Sequence, residues 1–184
     1  MIKVGIIGGA GYTAGELIRL LLNHPEVDLV FVNSSSNAGN KLTDVHEGLY
    51  GETEMVFTDA LPLDEIDVLF FCTAHGDTKK FLECHNLPDE LKIIDLSMDY
   101  RIKSEEHPFV YGLPELNRRT ICHSKYVANP GCFATCIQLG LLPLAKHLMI
   151  NDDVMVNAIT GSTGAGVKPG ATSHFSWRNN NMSI

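Results

Sequence analysis

The chain opens on Ile2-Lys3-Val4-Gly5-Ile6-Ile7 and passes directly into Gly8-Gly9-Ala10-Gly11-Tyr12-Thr13-Ala14-Gly15, followed by Glu16-Leu17-Ile18-Arg19-Leu20-Leu21-Leu22. The short β-branched run predicts a strand, and the apolar spacing after the glycines predicts an amphipathic helix. A strand, a glycine-rich turn and a helix in that order make the first βα unit of a Rossmann-type sheet. Glycines let the backbone approach a pyrophosphate, which then rests on the N-terminus of the helix. No other stretch constrains the architecture as strongly.

The alternation continues along the chain. Asp28-Leu29-Val30-Phe31-Val32 reads as the second strand and ends in Asn33-Ser34-Ser35-Ser36-Asn37-Ala38-Gly39-Asn40-Lys41. An NAD site places Asp or Glu here to accept from the ribose 2′-hydroxyl, and that charge repels a 2′-phosphate. No acid is present, so Ser34 and Ser35, with Lys41 nearby, favour NADP. After a less regular stretch over 42–57, Asp67 to Cys72 predicts a buried parallel strand, Thr78 to His85 a helix, and Lys92 to Leu96 a further strand. Ligands in such sheets bind beyond the carboxyl ends of the strands, which makes His75, Ser97 and Arg101 candidates by location. The remaining histidines, His46 among them, show no partner pattern and read as surface or structural.

Ala128-Asn129-Pro130-Gly131-Cys132-Phe133-Ala134-Thr135 carries the chemistry. The thiol follows a Pro-Gly turn and precedes the apolar, helix-patterned run 137–142. Unpaired N–H groups and the helix dipole favour a thiolate at a helix start, so Cys132 reads as a nucleophile rather than as core filler. Between the last strand and this turn, the Pro- and Gly-punctuated segment 104–124 reads as an irregular connector. Beyond it, Val154 to Ile159 predicts a strand, and the loop 160–170 is a second glycine-rich segment carrying Lys168.

These elements predict an α/β fold: a Rossmann-type, doubly wound, mainly parallel sheet over 1–130, then over 131–184 the start of an α+β catalytic and dimerisation domain. Within 184 residues a net charge of -8 argues against a nucleic-acid or acidic-membrane surface, which needs clustered Lys and Arg. The apolar runs are too short to span a bilayer and no signal peptide precedes the first strand, so a cytoplasmic location is expected. The 5 cysteines are odd in number, form no CxxC pair and fit no zinc template with the histidines, which points to reduced thiols and no metal site.

Taken together, the Gly8 to Leu17 segment, Ile94-Asp95-Leu96-Ser97-Met98-Asp99-Tyr100-Arg101, Tyr111-Gly112-Leu113-Pro114-Glu115-Leu116-Asn117, Asn129 to Thr135 and Gly161-Ser162-Thr163-Gly164-Ala165-Gly166 resemble the N-acetyl-gamma-glutamyl-phosphate reductase family over essentially the whole chain. The 111–117 and Cys132 segments distinguish it from its more distant relative, aspartate-semialdehyde dehydrogenase. The resemblance implies an enzyme of arginine biosynthesis that reduces an acyl phosphate with NADPH to a semialdehyde and phosphate through a thioester on Cys132. It implies cofactor contacts at Gly8, Gly11, Tyr12, Thr13, Ser162 and Gly164, and binding of substrate or leaving phosphate at Arg101, Asn129 and Lys168. A homo-oligomer with a small-molecule substrate is expected. The family reads Gly-Ala where this chain has Ala14-Gly15. Its acid/base histidine motif is not matched by Ser173-His174-Phe175-Ser176, so the chain is expected to be an N-terminal fragment that is inactive alone. Two rivals are aspartate-semialdehyde dehydrogenase and a nucleotide-binding module without chemistry, such as a redox-sensing regulator. Cys132 speaks against the second, since a sensor has no need of a nucleophile in that turn.

Overall fold

A computed structural model describes residues 1–167, Gly170, Ser173, His174 and Ser176. The chain divides into two compact units, Met1–Gly131 and Cys132–Ile184.

In the first unit the strands are β1 (Ile2–Ile7), β2 (Val27–Asn33), β3 (Val68–Phe71), β4 (Lys92–Asp95), β5 (Val110–Tyr111) and β6 (Tyr126–Ala128). They form one sheet in the order β2-β1-β3-β4-β6-β5, and every pairing is parallel. The helices are α1 (Tyr12–Leu22), α2 (Leu42–Val45), α3 (Asp77–Cys84) and α4 (Pro114–Cys122). The chain runs outward from β1 to β2, then returns to the other side of β1 for β3. That reversal places the topological switch point, where such sheets open a ligand crevice, between β1 and β3.

Alternation along the strands shows why both faces are covered. Val4 and Ile6 of β1 enter one core with Ala14 and Ile18 of α1, whereas Ile7 enters a second core with Leu69 and Phe71 of β3. Phe81 and Leu82 of α3 pack against that second core. Successive side chains on a strand point to opposite faces, so a doubly wound sheet needs apolar residues at nearly every strand position, as these strands have.

Two details of this unit differ from the sequence expectations. The first helix begins at Tyr12 rather than at Glu16, with Gly11 as its N-cap, so Ala14 and Gly15 lie inside the helix. The stretch expected as a connector contains α4 and the edge strand β5. Pro114 is at the first helical position, where its missing N–H costs nothing, and Asn117 interrupts the helix with a φ of -123° while its side-chain amide donates to Tyr111 O at 3.1 Å.

In the second unit, α5 (Cys132–Lys146) carries Pro143 within it and has no buried residue. The strand expected over 154–159 is irregular and exposed. A strand requires a partner to take its N–H and C=O groups, and the described sheet offers it none. Ser162–Ala165 forms a single 3-10 turn.

Candidate functional site

The glycine turn closes at the switch point. Gly8 follows β1 with a φ of +80°, and a Cβ on it would lie 2.7 Å from the carbonyl oxygen of Cys72, which follows β3. Only glycine satisfies both the left-handed backbone and this approach. A Cβ on Gly11 would meet nothing within 4 Å. The N-terminus of α1 therefore faces open space, with Tyr12 and Thr13 exposed in its first turn. Early helical N–H groups have no partner inside the helix, so this end of α1 fits a pyrophosphate.

Gly9 is held from both sides: its N–H donates to Asn33 O at 2.8 Å, and its carbonyl accepts from His46 Nε2 at 2.7 Å. Asn33 is the last residue of β2, and the polar turn that fits a ribose begins next to it. There Asn37 Nδ2 donates to Ser34 Oγ at 3.1 Å and to Ser36 Oγ at 3.0 Å, with Ser34 buried and Ser35 exposed. Lys41 does not point its charge at this turn. It pairs with Glu54 at 2.6 Å, and that hydrogen bond and charge hold the lysine above its ordinary pKa and the carboxyl below its own.

At the end of β4 a buried polar network forms. Asp95 accepts from Thr78 Oγ1 at 2.8 Å and from Ser97 N at 3.0 Å on one oxygen, and from Ser97 Oγ at 2.8 Å on the other. Ser97 is fully buried and its hydroxyl is spent here, so the residue is structural rather than a ligand contact. Asp99 caps α3 through the N–H groups of Gly76 at 2.6 Å and Lys79 at 3.1 Å. His75 is exposed, and its Nδ1 accepts the N–H of Met98 at 3.1 Å. Nearby, burial and then the Asp95 charge push the Cys72 thiol up to about 12, which keeps it protonated.

Arg101 closes this network toward the Pro-Gly turn. Its Nε donates to Asn129 O at 2.8 Å and one Nη to Leu96 O at 2.7 Å, while a Cβ on Gly131 would stand 3.0 Å from the other Nη. Asn129 in turn donates its backbone N–H to Asp95 O at 2.7 Å and its side-chain amide to Pro130 O at 3.1 Å. Arg101 thus ties the ends of β4 and β6 together and fixes the segment immediately preceding Cys132 in sequence. Three of its five N–H groups remain beyond those two bonds.

In the second unit, Cys132 is the first residue of α5 and is exposed. Ser162 and Gly164 belong to the exposed 3-10 turn, where Gly164 N donates to Gly161 O at 3.2 Å. Lys168 lies outside the described residues. Among the described residues, His174 Nδ1 is buried without a hydrogen-bond partner. No group of three His, Cys, Asp or Glu that could hold a metal occurs among the described residues, and no described helix is long and apolar enough to cross a membrane.

The residue that the sequence concealed is His46. Its contacts with Gly9 and Gly15 cross more than thirty residues, and no local pattern announces them.

Comparison with known proteins agrees with this fold. The chain is 86% identical, over its full 184 residues, to N-acetyl-gamma-glutamyl-phosphate reductase of Phocaeicola vulgatus, and 83% identical to that of Bacteroides fragilis. It covers 57% of the length of each, so it spans little more than half of these curated relatives. Among solved structures, aspartate semialdehyde dehydrogenase with NADP from Candida albicans matches with a TM-score of 0.62 at 20% identity, covering 82% of this chain and 48% of that one. The enzyme from Francisella tularensis matches at 0.59 and 22%, over 80% of this chain and 41% of that one. At such identities these two show a shared fold. Residues 3–124 match the semialdehyde dehydrogenase NAD binding domain and residues 132–184 the semialdehyde dehydrogenase dimerisation domain. With both halves matched in order, the chain belongs to the semialdehyde dehydrogenase family.

Proposed function

We propose that the protein containing this chain reduces N-acetyl-L-glutamyl 5-phosphate with NADPH to N-acetyl-L-glutamate 5-semialdehyde and phosphate, in arginine biosynthesis. The observation that carries the reading is Cys132: an exposed thiol at the first position of α5, directly after a turn that Arg101 anchors. The match along all of this chain to relatives that bear this activity in their names supports the reading.

The Cys132 sulfur attacks the acyl carbon, the bond from that carbon to the phosphate oxygen breaks, and phosphate leaves with the electron pair. A thioester on Cys132 results, whose carbonyl is a better hydride acceptor than an ordinary ester. When bound, the reduced nicotinamide supplies that hydride. The carbon–sulfur bond then breaks, releasing the semialdehyde and restoring the thiolate. Around this chemistry, the open end of α1 at Gly8, Gly11, Tyr12 and Thr13 takes the pyrophosphate, and Ser34 and Ser35 take the 2′-phosphate of NADP. Arg101 offers its remaining N–H groups to the leaving phosphate, and Asn129 and Lys168 are proposed for the same role. Ser162 and Gly164 are further proposed cofactor contacts. A cytoplasmic homo-oligomer acting on a small molecule completes the reading, and the match to a dimerisation domain supports its oligomeric part.

The test is the reverse reaction: NADP reduction by the semialdehyde in the presence of phosphate. The full-length protein is expected to turn over, whereas its Cys132→Ser variant and the 184-residue chain alone give no measurable signal. Retained activity in Cys132→Ser refutes the nucleophile.

A further inference from the structure

We propose that His46 is a positioning residue for the dinucleotide turn and that Gly15 exists to admit it. This rests on the reading of the turn as a nucleotide site. His46 ends α2, and its ring leans on the buried Phe57 with centroids 6.1 Å apart and reaches the glycine turn. There Nε2 donates to the carbonyl of Gly9 at 2.7 Å, which assigns the hydrogen to that nitrogen. On the same ring, Nδ1 and Cε1 would lie 2.7 Å and 3.0 Å from a Cβ on Gly15.

The consequence is electrostatic. Free rotation of the Gly9 peptide could turn its carbonyl oxygen toward the ligand, where its negative end would oppose a pyrophosphate. With the Gly9 N–H bound to Asn33 O and the Gly9 carbonyl bound to His46, the peptide units on either side of Gly9 are each held by one bond, and His46 holds the one that carries the carbonyl. The N–H groups of the following residues, at the start of α1, are left for the anion. Gly15 is the steric half of the arrangement. Within a helix, alanine ordinarily improves on glycine, yet here a methyl group would displace the ring that holds Gly9.

Calorimetric titration of NADPH into the 184-residue chain tests this. His46→Ala should weaken binding roughly 3- to 10-fold, the range for one net hydrogen bond, and His46→Gln, which keeps a donor at similar reach, should recover most of the loss. Gly15→Ala should weaken binding when His46 is present and cost nothing in the His46→Ala background, a coupling that two independent packing defects do not produce. Equal affinity of wild type and His46→Ala, or additive losses in the double variant, overturns the proposal. Amide hydrogen exchange of residues 10–13 in the ligand-free chain is the second readout: it should quicken in His46→Ala and slow again in His46→Gln. Should the unsubstituted chain bind neither NADPH nor NADH, the nucleotide reading falls, while unchanged exchange at 10–13 sinks the His46 brace by itself.

Discussion

The two units handle apolar surface in opposite ways. Every described buried apolar residue, from Val4 to Ala128, belongs to Met1–Gly131, whose sheet closes a core on each face. In Cys132–Ile184, no residue of α5 is fully buried, Ile137, Leu141 and Leu142 are half-buried, and Leu139, Leu144, Leu148, Met149, Met155 and Ile159 are exposed. Among the cysteines, Cys84 and Cys122 of the first unit are exposed as well. Cys72 is secluded beside a buried carboxylate, whereas Cys132 and Cys136 are open to solvent. A nucleotide site needs a fixed backbone, and the first unit holds its glycine turn through the bonds of Gly9 to Asn33 and His46. A nucleophile needs access.

Alkylation gives this contrast its largest expected effect. Cys72, pushed from 9.0 to about 12, carries near neutral pH roughly a thousandth of the thiolate of an ordinary cysteine, before its burial is counted. Limiting iodoacetamide followed by peptide mapping should label Cys132 first and Cys72 last. Labelling of Cys72 in the folded chain at a rate comparable to Cys132 breaks the contrast, and first labelling at Cys84 or Cys122 removes the nucleophile assignment.

Core truncation comes next. Phe71→Ala, at a fully buried position in β3, should cost about 3–5 kcal/mol in denaturant unfolding. Leu139→Ala, on the exposed surface of α5, should stay within about 0.5 kcal/mol. Comparable losses at the two positions would mean that α5 is packed as tightly as the sheet.

What the sequence made legible follows the same boundary. The β1 strand, the glycine turn and the Cys132 helix start were readable because each is local: a β-branched run, glycines at a strand end, a Pro-Gly pair before an apolar run. Helix α4 was obscured because Pro114 and Gly112 read as punctuation, although proline at a first helical position is compatible with a helix. Strands β5 and β6, of 2 and 3 residues, are too short for periodicity to register. The expected strand over 154–159 failed for the opposite reason. Its β-branched pattern is present, but a strand is a property of a pair, and the described sheet gives it no neighbour. The His46 brace and the Arg101 clamp are tertiary contacts across 37 and 28 residues, so composition and spacing carried no trace of what they hold, although Arg101 stood out as a cation past a strand end.

The smallest effect separates binding from reaction. Ser34 is buried and accepts from Asn37, so its substitution would disturb the turn itself, whereas Ser35 is exposed at the same strand end and can change without loss of a described bond. Ser35→Asp places a carboxylate where the 2′-phosphate of NADP is proposed to lie, and the like-charge repulsion should lower NADPH affinity about tenfold, roughly 1.4 kcal/mol. NADH has a 2′-hydroxyl there, which an aspartate can accept from, so its affinity should hold or rise. Cys132→Ser should leave both affinities unchanged, because none of the proposed nucleotide contacts, Gly8, Gly11, Tyr12, Thr13, Ser34, Ser35, Ser162 and Gly164, is the thiol. Calorimetric titration of the two nucleotides into the three proteins decides it. Tighter NADH binding by the unsubstituted chain would overturn the NADP preference while leaving the Rossmann-type fold in place, and a large change in Cys132→Ser would show that the thiol itself takes part in binding the nucleotide.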